Sequence, residues 1–503
     1  MSESAKPNHS SLLICLLLIL IAATLRIPSL GLRGYTLDEA WSAEMASGRG
    51  SVHLHLPKDT VMPMPKFFSL GSNANVPWWR IWTNMECTHP PLYYLGLRFW
   101  TDVIGAGDAP ERSFSIIAAL ISIVLLYDVA RLYNGQSIAI WACILFALAQ
   151  PQIQYARETR NYTWLIACAL LAVDALIRIE KFGPSYSRLA ALTIGILATP
   201  LTHYFGIGIL IGLGIYALLR TRGRIRLQIL AAFTIAILIF SICWGPFMWQ
   251  QRALALTSDQ SVNFLLDNPD THLRWTFYRL LVLPGVLLAE PRGPALYICY
   301  IGAALYLLPL IALRRRPDLL LWICWMFGVI GVIAAFDFSR DTHHLGLIRY
   351  TLLAGPAVYV LIPAIVSRFR PWLRHSVPAI AAIYCLWALP HAYQFAVTDP
   401  KAIVAEVQSA TRPNDLLLFI STGKNEWWAG GQCMLFSRYL NPQTCPVALL
   451  NAPAGPEVTT RALASPRVIG FTVNENPADY VHGLFPQTTA KFPGQGQVWV
   501  LQK

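Results

Sequence analysis

The chain has 503 residues, 55% of them hydrophobic and only 13% charged, with a net charge of +12. Soluble domains carry roughly 25% charged residues, so this composition excludes a soluble globular protein and requires a polytopic membrane protein. Nor does the positive charge point to nucleic acid: the arginines gather in short loops between apolar runs, the pattern of cytoplasmic anchoring.

The run Leu12–Leu25 is followed directly by Arg26 and Pro28, with no small-residue cleavage site. It reads as an uncleaved first span rather than a signal peptide. Further apolar runs lie at 112–131, 136–152, 162–179, 187–202, 204–219, 226–248, 294–313, 317–336, 349–367 and 375–394. At about 20 residues per crossing, these predict about eleven spans. If the N-terminus is cytoplasmic, Arg131, Arg178, Lys181, Arg188, Arg220 to Arg226, Arg314 to Arg316 and Arg368 to Arg374 all fall on the inner side. The other side then holds a large first loop (29–111), the segments 150–161, 249–293 and 337–348, a tight turn at His203-Tyr204, and the tail.

Two interfacial helices are expected in the first loop. One covers Asp38–Ser47. The other covers Pro91–Ile104, with Tyr93, Tyr94, Leu97, Trp100 and Val103 offset by Arg98 and Asp102, too short and mixed to span. Trp78, Trp79 and Trp82 read as an aromatic interface belt, with sugar stacking as the second reading. The organisation expected is therefore a membrane domain over 1–394 and a small α/β domain over 395–503. In the latter, 403–410 reads as a helix and 415–420, 467–473 and 497–501 as strands. Seven cysteines sit in apolar runs as small core residues. Cys87, Cys433 and Cys445 fall in polar segments, and an oxidising compartment would allow a Cys433–Cys445 disulfide.

Ionisable residues beside apolar spans are costly and usually functional. Asp38-Glu39 stands just outside the first span, where a carboxylate could take a proton from a hydroxyl; the plainer reading is a helix start. His89-Pro90-Pro91 opens the second interfacial helix, where the histidine could donate to a phosphate, bind a metal, or be a surface loop residue. Arg157-Glu158-Thr159-Arg160 meets the outer surface against the general charge bias; two arginines could grip a phosphate, or snorkel to the interface. Thr202-His203-Tyr204-Phe205 interrupts two apolar runs, as cavity lining or as a turn. Arg340, Asp341, His343, His344, Arg349 and Tyr350 crowd another outer loop. His343-His344 lacks a clear third and fourth metal ligand, which favours phosphate or lipid contact. There is neither a GxGxxG nucleotide loop nor a Walker A sequence, which favours a donor that resides in the membrane.

In this order, Asp38-Glu39, His89-Pro90-Pro91-Leu92 and Tyr155-Ala156-Arg157-Glu158-Thr159-Arg160-Asn161-Tyr162 resemble the GT-C class of polyprenyl-phosphate-sugar-dependent glycosyltransferases. The chain is most similar to bacterial members of the protein O-mannosyltransferase superfamily (glycosyltransferase family 39-like), which includes the lipid A aminoarabinose transferases. The resemblance covers about residues 11–220 by motif and the later spans by architecture. It implies a GT-C fold and an inverting transfer of sugar from a polyprenyl-phosphate donor to a lipid, glycan or protein hydroxyl. Asp38, beside Glu39, would be the catalytic base. His89, Tyr155, Arg157, Glu158, Arg160, His203, Tyr204, Arg349 and Tyr350 would be the donor-binding set. The family's Tyr-Ser-Gln-Glu-Ala-Arg-x-Tyr keeps its Glu and Arg as Glu158 and Arg160, but Ala156, Arg157 and Thr159 depart from it. His89 replaces the lysine that precedes Pro-Pro in the aminoarabinose enzymes, against that particular activity. No cofactor is fixed by the resemblance, and a divalent metal ion is left open. It implies a bacterial inner membrane location, with the site and the tail periplasmic. A flippase for lipid-linked sugars is the alternative, and a non-catalytic assembly partner is a third reading.

Overall fold

The computed structural model describes residues 9–65, 76–84, 89–257, 269–290, 296–393, 399–412, 414–421, 426–440, 445–451, 454–472, 485, 487–491 and 497–502. Cys87 lies outside them. Every apolar run read as a span is helical. The helices in chain order are α1 (His9–Arg26), α2 (Leu37–Ala46), α3 (Trp79–Thr83), α4 (Leu92–Ile104), α5 (Asp108–Asn134), α6 (Gln136–Leu148), α7 (Gln150–Ala156), α8 (Tyr162–Phe182), α9 (Tyr186–Thr202), α10 (Ile207–Arg220) and α11 (Gly223–Cys243). After them come α12 (Gly245–Thr257), α13 (Pro269–Val286), α14 (Leu296–Leu313), α15 (Leu320–Arg340), α16 (Ile348–Thr351), α17 (Gly355–Val366) and α18 (Pro371–Ala388).

Among the described residues, six helices are long and apolar enough to cross a membrane, or up to seven if the bent pair α6–α7 is one span. The higher expectation counted shorter helices too, such as α9 with 17 residues and α10 with 14. The α6–α7 pair bends by 59°, where Pro151 starts a new helix and cannot extend the old one. Residues 249–293, read as loop, contain the end of α12 and all of α13.

Glycines let α10 and α15 approach backbone to backbone. A Cβ on Gly212 would lie 2.3 Å from the Cys324 carbonyl oxygen, and one on Gly328 2.4 Å from that of Gly208. Only glycine lets these backbones touch. The contact aligns the start of α10, next to His203, with the end of α15 at Asp337.

The two helices of the first loop are placed differently from expectation. α2 is no surface helix: Glu39, Ala40, Ser42, Ala43, Glu44, Met45 and Ala46 are all buried, because the tail covers one side and α4 the other. In α4 the exposed apolar residues are Phe99, Val103 and Ile104. Arg98 turns inward and donates to the carbonyls of Ser47 (3.0 Å) and Val76 (3.3 Å). Trp78 and Trp79 are exposed, as a belt requires.

The tail helices are α19 (Pro400–Ala410), α20 (Glu426–Ser437) and α21 (Pro456–Ala464). They flank a six-stranded sheet ordered β1-β3-β2-β4-β6-β5. Its strands are β1 (Val61–Pro63), β2 (Leu416–Ser421), β3 (Pro446–Asn451), β4 (Arg467–Thr472), β5 (Gln487–Lys491) and β6 (Gln497–Gln502). β2 runs parallel to β3 and β4, as helical crossovers allow, and the other pairs are antiparallel. One face buries Ile403, Val404, Val407 and Phe436, and the other Val458 and Ala462. Cys433 and Cys445 are both buried, and no disulfide joins them to each other.

β1 comes from the first loop, so loop and tail form one sheet. A charged cluster fastens them further. Asp108 accepts from Arg438 (2.8 Å), Lys401 (2.7 Å) and Tyr439 (2.9 Å). The Tyr439 hydroxyl in turn accepts from the Tyr35 backbone N–H at 2.8 Å.

Candidate active site

The site is assembled at the start of α2. Thr36 caps this helix reciprocally with Glu39. The Glu39 carboxylate is fully buried and accepts from Arg112 at 2.7 and 2.9 Å, from Arg33 at 3.2 Å, and from the backbone N–H of Thr36 (2.9 Å) and Thr159 (3.0 Å). Arg112 spends its remaining hydrogens on the carbonyls of Leu30, Arg33 and Gly34. Glu39 thus joins the first loop, α5 and the segment before α8. Burial works against its charge, but Arg112 and Arg33 outweigh burial and hold its pKa below the usual carboxylate range. No oxygen of Glu39 is left for a substrate.

Asp38, one residue earlier, is different. Its side chain is about one third exposed and forms a close ion pair with Arg349. Its backbone carbonyl accepts from Arg160 Nη1 (3.0 Å) and from the Ser42 hydroxyl (3.0 Å). Burial pushes its pKa up, but Arg349 and Arg160 outweigh that and lower it. Asp38 is therefore an ionised carboxylate with an open side.

Arg160 also donates to Ser42 Oγ at 3.0 Å, to Tyr162 Oη at 3.3 Å and towards His89 Nε2 at 3.4 Å. A guanidinium only donates, so His89 Nε2 accepts. His89 lies 5.2 Å from His203, ring to ring, and His203 lies 5.9 Å from Tyr350. Burial and then neighbouring cations lower both imidazoles, His203 to about 3, so both are neutral. The Phe205 N–H points at His203 Nδ1 (3.1 Å), which leaves the ring proton on Nε2.

Among the described residues, the buried Arg160 Nε, Arg349 Nε and His203 Nε2 here have no hydrogen-bond partner. All three are N–H donors. A buried unsatisfied donor costs about 1–3 kcal/mol, so this grouping suits a ligand rich in acceptor oxygens. Arg160 and Arg349 against Asp38 leave the pocket cationic, which suits an anion. Glu158 sits among these charges. Burial first, then the charge of Glu39 and Asp38, raises its pKa to about 7 against the pull of Arg33 and Arg160.

The remaining expected residues divide. Tyr155 stands edge-on to Tyr162, with ring centroids 5.5 Å apart. Tyr350 packs under Arg349. Tyr204 instead bonds Gln251, whose amide donates to the His89 carbonyl (3.2 Å), so it acts on His89 through a neighbour. Arg157 turns away from Asp38. It donates to the carbonyls of Arg26 (3.2 Å) and Pro28 (2.7 Å) and lies over Tyr393. Arg112 and Asp337 escaped the sequence reading, although both are ionisable residues at span ends, the signal used for the others. No three His, Cys, Asp or Glu side chains gather as metal ligands among the described residues.

Residues 88–249 match the family model described as dolichyl-phosphate-mannose-protein mannosyltransferase. The whole chain superposes on ArnT from Cupriavidus metallidurans, in the apo state (TM-score 0.57) and bound to undecaprenyl phosphate (TM-score 0.54). Both are 14% identical, with 98% of each chain covered. An oligosaccharyltransferase from Archaeoglobus fulgidus tethered to an acceptor peptide aligns at 12% identity and TM-score 0.48, covering all of this chain and 75% of that one. No curated protein matches by sequence.

Proposed function

We propose that this chain, which shares its fold with ArnT from Cupriavidus metallidurans, is a GT-C glycosyltransferase that transfers a sugar from a polyprenyl-phosphate donor to a hydroxyl acceptor. The observation that carries this reading is an ionised, open carboxylate beside a pocket of unsatisfied donors. Asp38 takes the proton of the acceptor hydroxyl. The acceptor oxygen attacks the anomeric carbon from the side opposite the phosphate, with inversion. The bond from that carbon to the phosphate oxygen breaks, and its electron pair leaves with the phosphate. Arg160, Arg349 and His203 supply fixed donors where that charge develops. Glu39 and Arg112 position Asp38 without touching substrate.

The site lies at the ends of α5, α8, α9 and α10 opposite their basic termini, at Arg131, Lys181, Arg188 and Arg220, and at the end of α15 opposite Arg316, which precedes that helix. The bias of basic loops supports an extracytoplasmic site; a bacterial inner membrane is what the family resemblance implies. The acceptor is a lipid, glycan or protein hydroxyl reached from that side.

The test is purified protein in nanodiscs with undecaprenyl-phosphate sugars and membrane-lipid, glycan and protein acceptors. Saturable donor binding with turnover is expected. Binding without turnover on any acceptor favours a flippase, and absence of both removes the reading. Glu158 adds a pH signature: it is uncharged below about 7 and negative above. The donor is a phosphodiester that stays singly charged across this window. Its affinity is therefore expected to fall roughly tenfold from about pH 6 to 8 as the second carboxylate ionises, and to stay flat in Glu158→Gln. An equal slope in that variant would assign the titration to another group.

A further inference from the structure

Asp337, at the end of α15, is fully buried and collects the outer loop. It accepts from the Thr342 hydroxyl (2.7 Å), the His344 N–H (2.9 Å), the Leu345 N–H (2.8 Å) and His344 Nδ1 (2.9 Å). In the imidazole form of His344, a carboxylate that already accepts elsewhere places the single ring proton on Nδ1. The other nitrogen, Nε2, then presents a lone pair, and it makes no hydrogen bond among the described residues. The ring is walled by Phe336, Tyr350 and Phe205, at centroid distances of 4.9, 5.1 and 5.3 Å. Phe205 and Tyr350 also pack on His203, so this imidazole belongs to the same cluster.

The cluster is rich in donors: the free hydrogens of Arg160, Arg349 and His203 all suit phosphate oxygens. A sugar needs acceptors for its hydroxyls and flat apolar surface for its C–H face. His344 with Phe205 and Tyr350 offers both. We infer that His344, held in one tautomer by Asp337, accepts a hydrogen bond from a hydroxyl of the donor sugar and sets which sugar is used. This rests on the polyprenyl-phosphate reading but assigns a subsite apart from the phosphate. Asp337 is a positioning residue: it orients His344 and fixes its tautomer.

The experiment compares dissociation constants of the full chain in nanodiscs for undecaprenyl phosphate and for undecaprenyl-phosphate glucose, mannose, N-acetylglucosamine, galacturonic acid and aminoarabinose. The quantity read is the gain in affinity due to the sugar. Wild type is expected to gain about tenfold on one of these donors. His344→Leu should lose that gain and keep wild-type affinity for undecaprenyl phosphate. His344→Gln, whose amide oxygen can accept, should keep part of it. Asp337→Asn should also reduce the gain with phosphate affinity intact. The inference is overturned if His344→Leu keeps the full gain, if it weakens both ligands equally, or if wild type binds undecaprenyl phosphate but gains from no sugar. A wild type that binds no undecaprenyl phosphate removes the donor reading itself.

Discussion

Replacing Asp38 by asparagine is expected to abolish sugar transfer while the protein stays folded. A positioned base contributes about 10²- to 10⁴-fold to such a step, and asparagine cannot take the acceptor proton. The fold should survive for reasons visible at the site. The side chain is about one third exposed and makes one ion pair, while the helix cap is formed by Thr36 and Glu39 rather than Asp38. The asparagine amide oxygen can still face Arg349. Donor binding should persist or tighten, because a negative charge leaves a pocket that holds an anion. Turnover, thermal unfolding and donor binding, measured on one preparation, decide the matter. Turnover within about tenfold of wild type would remove Asp38 from the role of base.

The neighbouring change, Glu39→Ala, is expected to fail in the opposite way. It strands Arg112, whose side chain is 1% exposed, and leaves the N–H groups of Thr36 and Thr159 without their acceptor. Removing one partner of a buried ion pair costs about 3–5 kcal/mol, a large share of a typical stability of about 5–15 kcal/mol. Little monodisperse protein should be recovered, and what is recovered should melt well below wild type. Glu39→Gln, with the shape kept and the charge lost, should fall between. An alanine variant with wild-type melting and no turnover would return Glu39 to the chemistry.

These two residues show where sequence reading stops. Asp38 and Glu39 are adjacent, both acidic and both at a helix start, so pattern alone treats them as equivalent. Their difference arises from Arg112 and Thr159, which only the packing of α5 and α8 brings near. The same holds for Arg157 and Arg160. Both stand in one motif, yet the chain between α7 and α8 is not helical, and no periodicity predicts where each side chain points. What was legible rests on cost: charged residues beside spans are rare, so Asp38, His89, Glu158, Arg160 and Arg349 stood out and do converge. The apolar runs announced helices, though not which are long enough to cross. In the tail, β2, β4 and β6 carried apolar strand patterns. β1 is three residues long and has no pattern of its own; it is a strand because β3 lies beside it.

The clasp between first loop and tail bears on how the protein is made. Tyr35 bonds Tyr439 across 404 residues of chain, and Arg438 reaches Asp108 across 330. At about 5–20 residues per second, the ribosome needs roughly 20 to 80 seconds to supply the second partner after the first. Contacts so distant in sequence also form late in folding. The loop carrying Asp38 therefore emerges early and waits, with β1 unpaired and Asp108 lacking its partners from the tail, until nearly the whole chain has been synthesised. A nascent chain can insert its helices in order and still have an unfinished active site. Competence arrives with the last hundred or so residues, and a stop codon before Arg438 leaves a first loop without its clasp and a β1 without its partner strand.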